Sequence, residues 1–135
     1  MSKNALAIHQ LSKSFGDKTV VNRVSFSIEP GEKVALVGPS GAGKSTITKL
    51  ILRFFDVKQG SIEIDGQNIA RVTQASLRDA IGFVPQEPIL FHRSLMENIR
   101  YGRRDATDAE VIDAAKRAHC HDFISRLPDT YETYV

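Results

Sequence analysis

Val34-Ala35-Leu36-Val37-Gly38-Pro39-Ser40-Gly41-Ala42-Gly43-Lys44-Ser45-Thr46 is the stretch on which the reading of the fold turns. From Gly38 to Ser45 it spells G-x-x-x-x-G-K-[ST], and both flanks suit that pattern. Val34–Val37 is an uninterrupted apolar run, which predicts a strand covered on both faces, as in a parallel sheet. Beyond the loop, Ile47, Leu50, Ile51, Phe54 and Phe55 recur at i, i+3, i+4, i+7 and i+8, predicting one buried helix stripe. Between strand and helix, glycines let the backbone curl so that successive N–H groups face phosphate oxygens. A helix starting near Lys44 adds the positive end of its dipole. Lys44 offers a mobile ammonium to the β- and γ-phosphates, Ser45 a hydroxyl ligand for Mg²⁺, and Thr46 a contact near the α-phosphate. The candidate nucleotide-binding residues are therefore Gly38, Pro39, Ser40, Gly41, Ala42, Gly43, Lys44, Ser45 and Thr46, with Lys44 also the candidate catalytic cation.

Upstream of the loop, Leu6–Leu11 reads as a strand and Phe15-Gly16-Asp17-Lys18 as a turn. Val24, Phe26 and Ile28 alternate with Ser25 and Ser27, as in a half-buried strand ended by Glu29-Pro30-Gly31. Downstream, Lys58-Gln59-Gly60 breaks the helix, Ser61 to Ile64 forms a short strand and Asp65-Gly66 a turn. A short helix is expected around Leu77, then an apolar strand at Ile81-Gly82-Phe83-Val84 ended by Pro85. Beyond Pro85–Pro88 the chain reads as helical. Ser94 stands three before Glu97 and Thr107 three before Glu110, each a capping box. The second of these helices carries Val111, Ile112, Ala115 and Ala118, and a third runs from His121 to Leu127, stopped by Pro128. The division expected is a nucleotide-binding core over residues 1–86 and the beginning of a helical subdomain over 87–135.

The 135 residues are 41% hydrophobic and 25% charged, an ordinary balance for a folded soluble chain. Eighteen Lys+Arg against 16 Asp+Glu leave a net charge of +2, too weak to argue for nucleic acid or a membrane surface. The single cysteine, Cys120, excludes an intramolecular disulfide and suits a reducing compartment. No apolar run approaches the roughly 20 residues that span a bilayer, and the opening residues lack the apolar stretch of a signal peptide. His119-Cys120-His121 has metal-ligand types, but consecutive helix residues diverge by about 100° and do not converge on one ion. Cys120 is expected to be a small buried residue, and Arg103-Arg104 part of a solvated loop.

A phosphate loop alone does not choose among kinases, GTPases, motors and transport ATPases. From Ser25 to about Tyr134 the chain resembles the ATP-binding cassette (ABC) family, in its nucleotide-binding domain. The resemblance rests on Glu29-Pro30-Gly31-Glu32-Lys33-Val34 into the phosphate loop, on Gly60-Ser61-Ile62 with Asp65-Gly66, and on Leu77-Arg78 through Val84-Pro85-Gln86-Glu87-Pro88 to Leu90-Phe91. Glu97-Asn98-Ile99-Arg100-Tyr101-Gly102, and His121-Asp122-Phe123-Ile124 to Leu127-Pro128, look more like exporter-type cassettes than importer subunits. The resemblance implies an α/β P-loop NTPase core with an N-terminal antiparallel β portion and the start of an α-helical subdomain. It implies that Gln86 is the Q-loop glutamine, touching Mg²⁺ and attacking water and reporting nucleotide state to a membrane domain. A polar side chain at the end of a strand would also sit at the carboxyl edge of the sheet, where ligands bind in open α/β folds. Phe15, 23 positions before Gly38, falls where similar domains stack an aromatic, often Tyr, on adenine. Pro88–Phe91 is either the docking surface for the membrane domain or ordinary core. ATP and Mg²⁺ are the implied cofactors, a transmembrane domain and a second nucleotide-binding domain the partners, and the cytoplasmic face of a membrane the location. No nucleic acid is expected.

The family's hydrolytic equipment is not all in this sequence. A four-residue apolar strand ending in Asp-Glu, a Leu-Ser-Gly-Gly-Gln-type signature and a switch histidine are all missing; the four histidines stand at 9, 92, 119 and 121. The chain is therefore read as a truncated cassette, supplying the phosphate-loop face of a nucleotide sandwich but not the signature face. It is expected to bind Mg-ATP or ADP without turnover, and to be oligomeric or only partly ordered by itself. The rivals are part of a soluble ABC-type ATPase acting on nucleic acid or ribosomes, a non-catalytic docking module and, further off, a small-molecule kinase.

Overall fold

A computed structural model describes residues 4–135. They fall into two compact units, one reaching to Phe83 and the other beginning at Val84.

The first unit is built on an antiparallel sheet. Strand β1 (Leu6–Phe15) turns at Gly16-Asp17 into β2 (Lys18–Ile28), with Phe15 opposite Lys18. Helix α1 (Lys44–Ile51) follows, then β3 (Gln59–Ile64) and the short β4 (Gln67–Asn68). The sheet order is β2-β1-β3-β4. Asp65-Gly66 makes the expected tight turn between β3 and β4, with φ of +48° and +75°, the double left-handed geometry of a two-residue hairpin. A 3₁₀ turn at Ile69–Arg71 and helix α2 (Gln74–Asp79), capped by the Thr73 hydroxyl, complete the unit. Ile8, Leu11 and Val21 of the hairpin pack with Ile62, Ile69, Leu77 and the Ile47 and Leu50 face of α1.

Two expected strands do not form. Val34–Val37 and Ile81–Val84 have no ladder partner, and Val37 is 91% and Val84 89% exposed. An apolar run specifies two covered faces, but an isolated strand leaves its backbone groups to water and gains nothing from pairing. The parallel ladder is thus absent among the described residues, and the regular sheet is the antiparallel portion.

The helical stripe also ends early. Helix α1 stops at Ile51, so Phe54 and Phe55 lie beyond it and are exposed. Arg53 adopts φ +52°, its N–H donates to Leu50 O and the Phe54 N–H to Lys49 O. This is the paired closure that usually takes glycine. The Arg53 guanidinium offsets the strain by donating to the carbonyls of Ile69 (3.0 Å) and Val72 (2.8 Å) and pairing with Asp56.

The second unit is helical: α3 (Leu95–Arg100), α4 (Asp108–Arg117) and α5 (His121–Ile124). Ser94 caps α3 by accepting from the Glu97 N–H, and Thr107 with Glu110 forms the full reciprocal box on α4. The third helix is shorter than expected, ending at Ile124 rather than Leu127. Met96, Val111, Ala115, Ile124 and Tyr131 form its core. Tyr134 bridges to Ser94, and the Leu95 N–H donates to Thr133 O, tying the last residues to the start of α3. Cys120 is half-buried rather than buried, its thiol directed at the Ala115 carbonyl.

Candidate functional site

The phosphate-loop motif sits between β2 and α1. Gly43 is the N-cap of α1 with φ +86°, and a Cβ there would lie 2.7 Å from the Val20 carbonyl oxygen of β2. Only glycine meets both demands, so the loop is pressed against the hairpin at this point. Gly41 is also left-handed (φ +82°), and the Ala42 N–H donates to Pro39 O at 3.2 Å. Helix α1 has no side-chain cap and no acidic residue in its first turn. Its first free N–H groups and dipole end are therefore met by neither a side-chain cap nor a first-turn carboxylate, an arrangement that favours an anion.

Lys44 lies at the mouth of this loop, and its ammonium donates to the carbonyls of Gly38 (2.7 Å) and Pro39 (2.9 Å). A phosphate oxygen would compete for that same ammonium. Ser45 is exposed, with its hydroxyl available to a cation, whereas Thr46 is half-buried. Gly38, Pro39, Ser40, Gly41 and Ala42 are exposed, so this arm of the loop is open to a ligand, while Gly43 is buried against the hairpin. These residues fit a phosphate chain with a divalent cation by their donor set: an ammonium, backbone N–H groups and one hydroxyl.

Phe15 ends β1 and is 45% exposed. Its ring meets that of Phe55 edge-on, at 5.6 Å between centroids and 80° between planes. The Lys13 ammonium stands over both rings, 5.1 Å from Phe15 and 4.9 Å from Phe55. Neither neighbour follows from the motif. The available signal is the period of two along a strand, which puts Lys13 on the Phe15 face; the spacing of Phe55 points instead to the helix stripe, which ends at Ile51.

Gln86 lies in the second unit, in an exposed bend between Pro85 and Pro88. The structure therefore gathers Gly38–Thr46 and Phe15 in the first unit and places Gln86 in the other. Pro88–Phe91 is not core: Ile89 is 87%, Leu90 56% and Phe91 45% exposed. Asn98 of α3 holds this stretch, accepting from the Phe91 N–H (2.8 Å) and donating to the Phe91 carbonyl (3.0 Å). The Phe91 ring packs on Tyr101 at 4.6 Å. Among the described residues, no His/Cys/Asp/Glu group could hold a metal ion, and no helix is long and apolar enough to cross a membrane.

A glycine-bent loop between a hairpin and an uncapped helix, carrying Lys-Ser, defines a phosphate-loop nucleotide-binding domain. More narrowly, the sequence profile of the ABC transporter family matches residues 21–134, and the chain belongs to that family. It is 50% identical over 134 residues to "ATP-binding cassette sub-family B member 6" of Mesocricetus auratus, covering 98% of this chain and 16% of that protein. It is 51% identical over 125 residues to "Iron-sulfur clusters transporter ATM1, mitochondrial" of Candida albicans, covering 90% of this chain and 17% of that protein. Against "ATM1-type heavy metal exporter" of Novosphingobium aromaticivorans it is 54% identical over 119 residues, covering 88% of this chain and 20% of that one. A solved structure, "Structure of a bacterial Atm1-family ABC exporter with ATP bound", superposes with a TM-score of 0.90 at 48% identity, covering 98% of this chain and 24% of that one. The chain thus corresponds to nucleotide-binding-domain sequence of the exporter type and spans about a sixth of the length of these curated relatives.

Proposed function

We propose that this chain is the phosphate-loop part of a nucleotide-binding domain that powers export through a transmembrane partner. Gly38–Thr46 bind the phosphates of ATP, the Ser45 hydroxyl would hold Mg²⁺, and Phe15 stacks on the base. Lys44 stabilises charge on the β- and γ-phosphates by leaving the Gly38 and Pro39 carbonyls for them. The observation that carries this reading is the uncapped, acid-free start of α1, met by the Lys44 ammonium at a loop that only Gly43 can close.

In the whole protein, nucleotide binding and hydrolysis drive transport. This chain by itself binds nucleotide without turnover. Its division is a nucleotide-binding core through residue 86 and the beginning of a helical subdomain from 87. The exposed Pro88–Phe91 segment, held by Asn98, is the docking surface for the transmembrane domain at the cytoplasmic face of a membrane. A second nucleotide-binding domain supplies the facing signature.

The test is thermal unfolding with and without Mg-ATP, on wild type and Lys44→Ala. At 100 times Kd, a ligand of the native state adds roughly 2.7 kcal/mol, which raises the midpoint by several degrees. The expected result is a shift in wild type that disappears in the variant. A cooperative transition with no shift refutes nucleotide binding. A steady-state ATPase rate that vanishes on Lys44→Ala would refute the absence of turnover.

A further inference from the structure

Strand β2 changes its buried face part-way along. Val24, Phe26 and Ile28 are half-buried, with Ser25 and Ser27 exposed between them. A strict period of two would put Asn22 next on the inner face, yet Asn22 is exposed and Val21 is the buried residue. A bulge makes the switch: from Leu11↔Val24 to Lys13↔Val21, β1 advances two residues and β2 three. Arg23 sits in this bulge with φ +48°, and its N–H donates to a side chain, the Ser12 Oγ, at 2.9 Å. Directly beyond the bulge, β2 meets the phosphate loop. The Val20 carbonyl oxygen and a Val21 methyl lie 2.7 and 3.4 Å from where a Cβ of Gly43 would stand. Without the bulge, the Leu11↔Val24 register would run on to Lys13↔Asn22. That would turn Asn22 inward and Val21 outward, and withdraw the surface on which Gly43 rests.

Resting on the reading that Gly38–Thr46 hold the phosphates, we infer that Ser12 is a positioning residue for that loop: by closing the bulge at Arg23, it sets Val20 and Val21 against Gly43 and so fixes the start of α1 for a phosphate chain. Ser12 acts through the backbone of β2 and does not touch the ligand. A second serine on the same hairpin provides the comparison. The Ser25 Oγ accepts from the N–H of Gln10, which is also left-handed at φ +47°, at 2.8 Å. Here β1 carries the extra residue, between Ile8↔Phe26 and Leu11↔Val24. This bulge borders Gly60 of β3 rather than Gly43, since a Cβ of Gly60 would lie 2.6 Å from the Gln10 carbonyl oxygen. The two hydroxyls hold chemically matching bulges, of which one backs the loop.

Titration calorimetry of Mg-tripolyphosphate into the 135-residue chain, at a temperature where each variant is folded, reads the loop without a base. Ser12→Ala is expected to weaken binding at least about 5-fold at unchanged stoichiometry, and Ser12→Thr to restore it. Ser25→Ala is expected to lower the unfolding midpoint and leave the affinity as in wild type. In the wild type, the same ligand should slow hydrogen exchange more at the Arg23 amide than at the Gln10 amide, because coupling between two sites is reciprocal. That measurement decides the matter even where Ser12→Ala fails to fold. Equal affinity in wild type and Ser12→Ala, a loss that Ser25→Ala shares or Ser12→Thr does not restore, or equal slowing at the two amides overturns the positioning role and keeps the phosphate loop. No heat with the wild type overturns the phosphate loop and the role of Ser12 with it.

Discussion

At Gly43 the demand for one residue type comes from two directions: a left-handed backbone, and a carbonyl of β2 where a Cβ would go. A Gly43→Ala variant is expected to lose about 1–2 kcal/mol from backbone conformation alone, with more from the clash at Val20. Its unfolding midpoint falls, and Mg-ATP no longer raises it, because relief of the clash moves the loop off the hairpin. A variant that keeps both the midpoint and the nucleotide shift would show that the loop does not depend on this contact. Arg53 is the contrasting case. It occupies a glycine-type conformation without being glycine, and its guanidinium contacts at Ile69 and Val72 are what hold it there.

Among the elements, helix α4 is the one whose start is most completely specified by local chemistry. The Glu110 carboxylate accepts from the Thr107 N–H, from the Arg103 guanidinium and from the Thr107 hydroxyl. In that order these hold it well below the usual carboxylate range, at about 2. A depressed acid stabilises the fold fully above its unfolded value of 4.5, and that stabilisation is lost as pH falls from there towards 2. Carboxyl-resolved NMR titration should show a Glu110 midpoint near 2, moving upward in Arg103→Ala and in Thr107→Ala. A midpoint in the ordinary range in wild type would mean that the box is not closed in solution. The antiparallel hairpin of β1 and β2 is the element that serves the candidate site most, since it presents Phe15 and Lys13 and backs Gly43 at the same stretch of ladder.

For the molecule as a whole, the unpaired apolar segments dominate behaviour. Val34, Leu36 and Val37 in the first unit, and Val84, Ile89 and Leu90 in the second, are all exposed. Runs of this kind seek another surface. Light scattering at tens of micromolar should find species heavier than the monomer, and Val37→Lys combined with Ile89→Lys should move the sample towards monomer. A monodisperse wild-type monomer at that concentration would mean that these segments are covered within one chain.

Much of this was legible in local sequence, because the physics there is local. The G-x-x-x-x-G-K-S pattern located the loop, the Ser94 and Thr107 caps located α3 and α4, and Asp65-Gly66 located the turn between β3 and β4, since each depends on contacts within a few residues. Family membership followed from the same stretches. What failed depended on distant partners. Val34–Val37 and Ile81–Val84 have the composition of buried strands, but pairing is decided by whether a neighbouring ladder stands beside them. The Phe54-Phe55 positions kept helical spacing, yet the Arg53 side chain, bound to carbonyls 16 and 19 residues away, ended the helix before them. Sequence by itself therefore determined the glycine-bent loop ahead of α1 and the helix caps. Only the tertiary structure decided which apolar runs become strands and that Phe55 and Lys13 stand beside Phe15, because those outcomes rest on contacts between residues far apart in the chain.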